Sequence, residues 1–261
     1  MDLGLAGKRA LVLGASRGLG AAVARSLANE GAIVLAAARR KEAIDGWRAQ
    51  LADPVAARVE ACTLDLSDRA GLDGFVDRLL ADGGVDILVN NGGGPPPGPA
   101  LSARLEDWQS HFSVMAAHLF HLTGRLLPSM MERKWGRVIT IGSSGIEQPI
   151  PNLALSNGIR TAVLGWSKTL AGEVAASGVT VNVVLPGRID TERVGELDAA
   201  AAKRLDRPVE QIQADSRAAI PLGRYGDPQE FADVVTFLAS ERASYVTGSK
   251  IRVDGGFIKG I

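Results

Sequence analysis

The 261-residue chain has one cysteine, so it can form no internal disulfide. Cys62 falls in a strand-like run, Ala57 to Leu66, with no electropositive setting to activate it, and reads as a buried structural thiol. No run approaches the ~20 consecutive apolar residues of a membrane span. Met1 to Lys8 lack the basic stretch and apolar segment of a secretory leader, so the cytoplasm is the expected compartment. Net charge is also missing: 29 basic residues balance 29 acidic ones. No overall field draws the chain to nucleic acid or an anionic membrane, which leaves a small molecule as the expected partner. Tyrosine and histidine, the common proton carriers among side chains, are scarce, with two of the first and three of the second. There is no internal repeat and no low-complexity linker.

What is present suits a large α/β unit. Hydrophobic residues make up 46% and charged residues 22%, enough apolar material for one core in a single domain. Short apolar runs at Ala10 to Leu13, Ile33 to Ala37, Ile87 to Val89, Val138 to Ile141 and Val179 to Leu185 alternate with segments of helical period. Strands apolar on both faces, joined by helix-length connections, predict a parallel sheet covered on both sides. Helices are expected near 18–30, 41–51, 68–81, 104–132, 152–177 and 228–239, with a last strand near 250–253. The result is a doubly wound three-layer sandwich on a mainly parallel seven-stranded sheet. Gly92 to Pro99 (GGGPPPGP) is a rigid turn just past a strand end, placed to wall a crevice. Ile189 to Ala219 is polar, helix-prone and has few residues that demand burial, so it reads as a mobile lid.

After the first strand comes Gly14-Ala15-Ser16-Arg17-Gly18-Leu19-Gly20, then an alanine-rich helix. Glycines at a sharp strand-to-helix turn let backbone approach a pyrophosphate, and the helix start favours negative charge. The spacing Gly-x-x-x-Gly-x-Gly resembles that of the short-chain dehydrogenase/reductase family, and matching segments run through nearly the whole chain. Asp65-Leu66 is similar to the family's adenine-contacting pair, Asn90-Asn91-Gly92-Gly93 to its Asn-Asn-Ala-Gly, and Pro186-Gly187 to its turn after the sixth strand. Pro221 to Arg224, Val246 to Gly248 and Asp254 to Gly256 resemble its C-terminal segments, while Leu13 stands where the family has a threonine. The resemblance implies a Rossmann-like fold and a dinucleotide held by Gly14, Ser16, Arg17, Gly18, Leu19, Gly20, Arg39, Arg40, Asp65, Leu66, Asn90, Asn91, Gly92, Arg160, Pro186, Gly187 and Ile189. It also implies a homotetramer or homodimer built through the helices near 104–132 and 152–177. NAD-type sites put a carboxylate on the ribose 2′-hydroxyl at the end of the second strand. Here that strand ends Ala38-Arg39-Arg40, and Arg17 could join Arg39 as a clamp on a 2′-phosphate, so NADP(H) is expected over NAD(H).

The reaction half departs from the family pattern. The family's serine aligns with Ser143, with Ser144 adjacent, but its tyrosine and lysine positions fall on Ser156 and Arg160, and its asparagine position on Met115. Tyr-x-x-x-Lys has become Ser-x-x-x-Arg. A serine hydroxyl is far weaker as an acid than a phenol, so Ser156 cannot simply replace one. Arg160 keeps the spacing of one helical turn and can fork to two oxygens. Ser143, Ser156 and Arg160 are therefore the expected catalytic set, suited to polarising a carbonyl or binding an oxyanion. Tyr225 and Tyr245 lie in other matching segments. His111, His118 and His121 share one helix and could supply a proton, but no carboxylate completes a metal site with them. Three readings follow: an NADP-dependent oxidoreductase with a replaced proton donor, a non-redox isomerase or lyase of the same fold, and a silent NADP-binding subunit or sensor.

Overall fold

The computed structural model describes residues 2–261. Seven strands, β1 (Arg9–Leu13), β2 (Ile33–Ala38), β3 (Val59–Thr63), β4 (Ile87–Asn90), β5 (Gly136–Ile141), β6 (Val179–Pro186) and β7 (Lys250–Val253), form one sheet in the order β3-β2-β1-β4-β5-β6-β7. Every pairing is parallel, so the expected architecture is observed. Side chains alternate across β1: Ala10 and Val12 enter the core on one face, and Leu11 and Leu13 enter the core on the other. Both faces being covered explains why the strands read as unbroken apolar runs.

The helices are α1 (Gly18–Asn29), α2 (Lys41–Arg48), α3 (Asp53–Ala56), α4 (Arg69–Ala81), α5 (Leu105–Phe112), α6 (His118–Glu132), α7 (Ala154–Val174), α8 (Glu192–Leu205), α9 (Val209–Ala218) and α10 (Pro228–Ala239). Small residues at Ala21, Ala24 and Ala28 bury one side of α1, and α10 packs against it around the fully buried Phe231. α10 starts at a capping box in which Asp227 accepts from backbone N–H groups and Glu230 reaches back to the Asp227 N–H. Among the described residues, no helix is long and apolar enough to cross a membrane.

Two sequence expectations change in detail. The helix expected over 41–51 ends at Arg48, because Pro54 favours a new first turn and α3 begins at Asp53. The single helix expected over 104–132 is interrupted by a π-helical turn at Ser113–Ala117, which buries Met115 and Ala116 between α5 and α6. The segment after Ile189 buries few residues, as expected, and these are Ile189, Val194, Asp198 and Ile212. Helical period in a polar segment hid these positions, since each is a lone inward residue on its turn.

Asp198 anchors this segment. Its carboxylate is fully buried, lies 3.0 Å from Arg188 Nη1 and accepts the Tyr225 hydroxyl at 2.8 Å. Arg188 also donates to Ser216 Oγ on α9 at 3.0 Å, so both helices are fastened to the turn that follows β6. A hydrogen bond to a charged group contributes about 1.5–3 kcal/mol. Tyr225→Phe is therefore expected to lower the thermal midpoint by roughly 3–10 °C without altering far-UV circular dichroism. An unchanged midpoint would show that the hydroxyl does not hold the segment in place.

Candidate active site

The sheet order reverses between β1 and β4, so the loops leaving their carboxyl ends diverge and open a crevice. Gly14 and Gly18 have φ of +61° and +56°, which favour glycine. The approach at Gly20 is tighter still: a Cβ there would lie 2.3 Å from the Gly14 carbonyl oxygen. Asn91 Nδ2 donates to that same carbonyl at 3.3 Å, and Trp47 Nε1 donates to the Ala15 carbonyl at 3.0 Å. The loop is thus held from β4 on one side and from α2 on the other. Its N-cap residue, Arg17, makes no side-chain capping bond, which leaves the first N–H groups of α1 for an anion. A cleft of about 430 Å³ runs past Ser16, Arg17 and Gly18 to Asp190, Thr191 and Glu192.

At the second strand, Arg39 and Arg40 are exposed and no carboxylate stands with them on β2. Asp65 bonds within its own turn, accepting from Ser67 N at 2.9 Å and Ser67 Oγ at 2.7 Å. Those two bonds hold its carboxyl below the usual range, and the Arg39 charge lowers it further. The sequence placed Arg17 beside Arg39. In the structure its guanidinium turns instead to Glu196 on α8, at 2.9 Å, an acid 179 residues away that no local pattern marks.

In the other half, Ser143 caps the single turn Ser144–Ile146, its Oγ accepting from Gly145 N at 3.1 Å, and that turn packs on α7. Ser156 is buried on α7, and its hydroxyl makes no hydrogen bond among the described residues. Arg160, one turn on, donates through Nη1 to the carbonyl oxygens of Ile141 at 2.9 Å and Gly142 at 3.3 Å. It ties α7 to the end of β5, and its Nε and Nη2 have no acceptor among the described residues. Part of the side chain meets solvent, yet desolvation of the guanidinium, reinforced by the charge of Arg193, brings its pKa down to about 10. Met115, Asn90 and Gly92 line a small cavity beside it.

The remaining proton carriers are placed elsewhere. His118 Nδ1 reaches the Leu66 carbonyl at 2.5 Å and His121 Nε2 reaches Asp73 on α4 at 2.6 Å. Burial and the Asp198 bond push the Tyr225 phenol up, and Tyr245 is fully exposed. No cluster of metal-ligating side chains occurs among the described residues. Trp47, Arg193, Glu196 and Asp198 are the participants that sequence reasoning missed. Only Trp47 left a signal, as an aromatic one turn from Ile44 on the apolar face of α2.

A family model described as "Enoyl-(Acyl carrier protein) reductase" matches residues 14–258. The 3-oxoacyl-[acyl-carrier-protein] reductase FabG of Escherichia coli is 36% identical over 253 residues, covering 96% of this chain and 97% of its own. Among solved structures, L-sorbose reductase from Gluconobacter frateurii, complexed with NADPH and L-sorbose, superposes with a TM-score of 0.92 at 32% identity, covering 100% of both chains. An actinorhodin polyketide ketoreductase with NADPH gives a TM-score of 0.90 at 30% identity, covering 96% of this chain and 97% of that one. The chain belongs to the short-chain dehydrogenase/reductase family.

Gly20→Ala tests the loop. With a backbone oxygen 2.3 Å from the new methyl, the loop must shift, at about 1–3 kcal/mol of stability. Dinucleotide binding, followed by fluorescence titration, is expected to weaken at least tenfold while circular dichroism stays unchanged.

Proposed function

We propose that the protein is an NADP(H)-dependent oxidoreductase that interconverts a carbonyl and an alcohol on a small molecule, through a site in which Ser156 and Arg160 occupy the family's tyrosine and lysine positions. The observation that carries the reading is the crevice at the β1/β4 reversal, where an uncapped helix start and a glycine loop that admits no Cβ meet. Those free N–H groups suit a pyrophosphate. NADPH bound there would supply the hydride.

The chain's own residues have separable tasks. Backbone at Gly14, Ser16, Gly18, Leu19 and Gly20 receives the pyrophosphate, while Asp65 and Leu66 flank the adenine. Asn90, Asn91 and Gly92 form one wall, and Pro186, Gly187 and Ile189 the other. Arg39 and Arg40, with Arg17, favour a 2′-phosphate because no acid on β2 opposes it. NADP(H) is therefore preferred to NAD(H). Ser143, Ser156 and Arg160 hold the substrate oxygen: two hydroxyls and the guanidinium donors left over from the β5 carbonyls stabilise the charge that develops there. With His118 and His121 engaged at α4 and its neighbouring loop, the proton comes from water, from the substrate or from His111. Met115 in place of the family's asparagine leaves the wall beside Arg160 apolar. The 189–219 segment closes over the substrate. A homodimer or homotetramer forms through the helices near 104–132 and 152–177, a reading that exposed Leu105 and Phe112 on the first of them support.

The test is titration with NADPH and NADH, then addition of ketones, quinones and imines while NADPH absorbance is followed. Turnover of NADPH with some carbonyl and tighter binding of NADPH than NADH is expected, and binding without any turnover would overturn the reading. Arg39→Glu should weaken NADPH at least tenfold and spare NADH. Restoring the family pair in a Ser156→Tyr/Arg160→Lys variant should raise kcat, since a positioned general acid contributes about 10²–10⁴-fold. A variant that folds but is no faster would show that the native pair already supplies that acid function.

A further inference from the structure

Arg17 and Glu196 form an ion pair at 2.9 Å with both side chains 47% exposed. A pair so solvated contributes little to folding, and its interest lies in where its members sit. Arg17 is the N-cap of α1, at the mouth of the glycine loop. Glu196 lies on α8, where Arg193 is 3.6 Å away and itself donates to the Pro95 carbonyl at 3.0 Å. α8 is thus fastened at both rims of the crevice, to the glycine loop through Glu196 and to the Gly92–Pro99 wall through Arg193. Hydrogen bonding to Arg17 holds the Glu196 carboxyl below its usual range, so it is anionic at neutral pH.

We propose that Glu196 is a specificity-determining residue: its carboxylate occupies Arg17 as a stand-in for the dinucleotide's 2′-phosphate, and the site's preference for that phosphate is set by how readily Glu196 yields. The proposal rests on the reading of Arg17 as a 2′-phosphate ligand. A dianionic phosphate binds a guanidinium more strongly than a carboxylate does, so Arg17 transfers to the phosphate. Glu196, then beside a like charge, turns to Arg193. A ribose bearing only hydroxyls leaves the Arg17–Glu196 pair intact. Glu196 therefore weakens the binding of the phosphorylated dinucleotide alone.

Fluorescence titrations of wild type, Glu196→Gln, Arg17→Gln and the double variant, each with NADPH and with NADH, test this. Breaking an exposed ion pair corresponds to about a two- to fivefold change in affinity. Glu196→Gln is expected to tighten NADPH by that factor, leave NADH unchanged, and give no gain once Arg17 is already glutamine. The gain should shrink as salt is raised, and Glu210→Gln on α9 should not reproduce it. Equal tightening of both dinucleotides, no change, or weaker NADPH binding would each overturn the proposal, the last by making Glu196 a support for Arg17. The underlying reading fails separately: wild type would then bind NADPH no more tightly than NADH.

Discussion

The close approach of Gly20 to the Gly14 carbonyl is the contact on which the rest of the crevice depends. A gap of 2.3 Å for a hypothetical Cβ lets α1 start within one turn of the end of β1, and so aims its free N–H groups into the space opened where β1 and β4 part. Asn91 and Trp47 then fix the loop from opposite sides. Backbone, more than side chain, shapes the glycine-loop side of the crevice, which is why that side is legible as a spacing of glycines.

The two halves are coupled through arginines. Arg160 spends one nitrogen on the carbonyls ending β5, a structural task that a shorter cation would perform with different reach. Arg193 sits close enough to depress it while bracing α8 against Pro95. Arg188 secures the same segment from beneath through Asp198. The cleft carries both signs of charge, with Asp190 and Glu192 beside Arg17 and Arg25, so the charge balance of the whole chain holds locally as well.

Much of the fold was legible in the sequence, because buried parallel strands and helical stripes are local patterns. Five strands fall where the apolar runs lie, β3 falls in the strand-like run around Cys62, β7 is where the last strand was expected, and the glycine loop is where its spacing put it. What was hidden is non-local. Nothing near Arg17 announces Glu196, and nothing near Asp198 announces Tyr225, since each pair forms only when distant segments fold back. The π-helical turn at Ser113–Ala117 was hidden for another reason: one extra residue in a helix changes the phase of the stripe without breaking its composition. The alignment of Ser156 and Arg160 with the family pair came from flanking motifs, and chemistry at those positions is legible only as donor geometry.

The indole bond from Trp47 to the Ala15 carbonyl gives the molecule an internal optical gauge. The ring is buried, stands 5.1 Å from the Arg25 guanidinium and is hydrogen-bonded to the one loop whose backbone a phosphate would touch. Trp108 and Trp166 flank the α7 side, and Trp135 lies against Lys8 and Arg137. Emission from Trp47 therefore senses the glycine loop at first hand, and a loop that tightens or relaxes writes its change into the colour of that one ring.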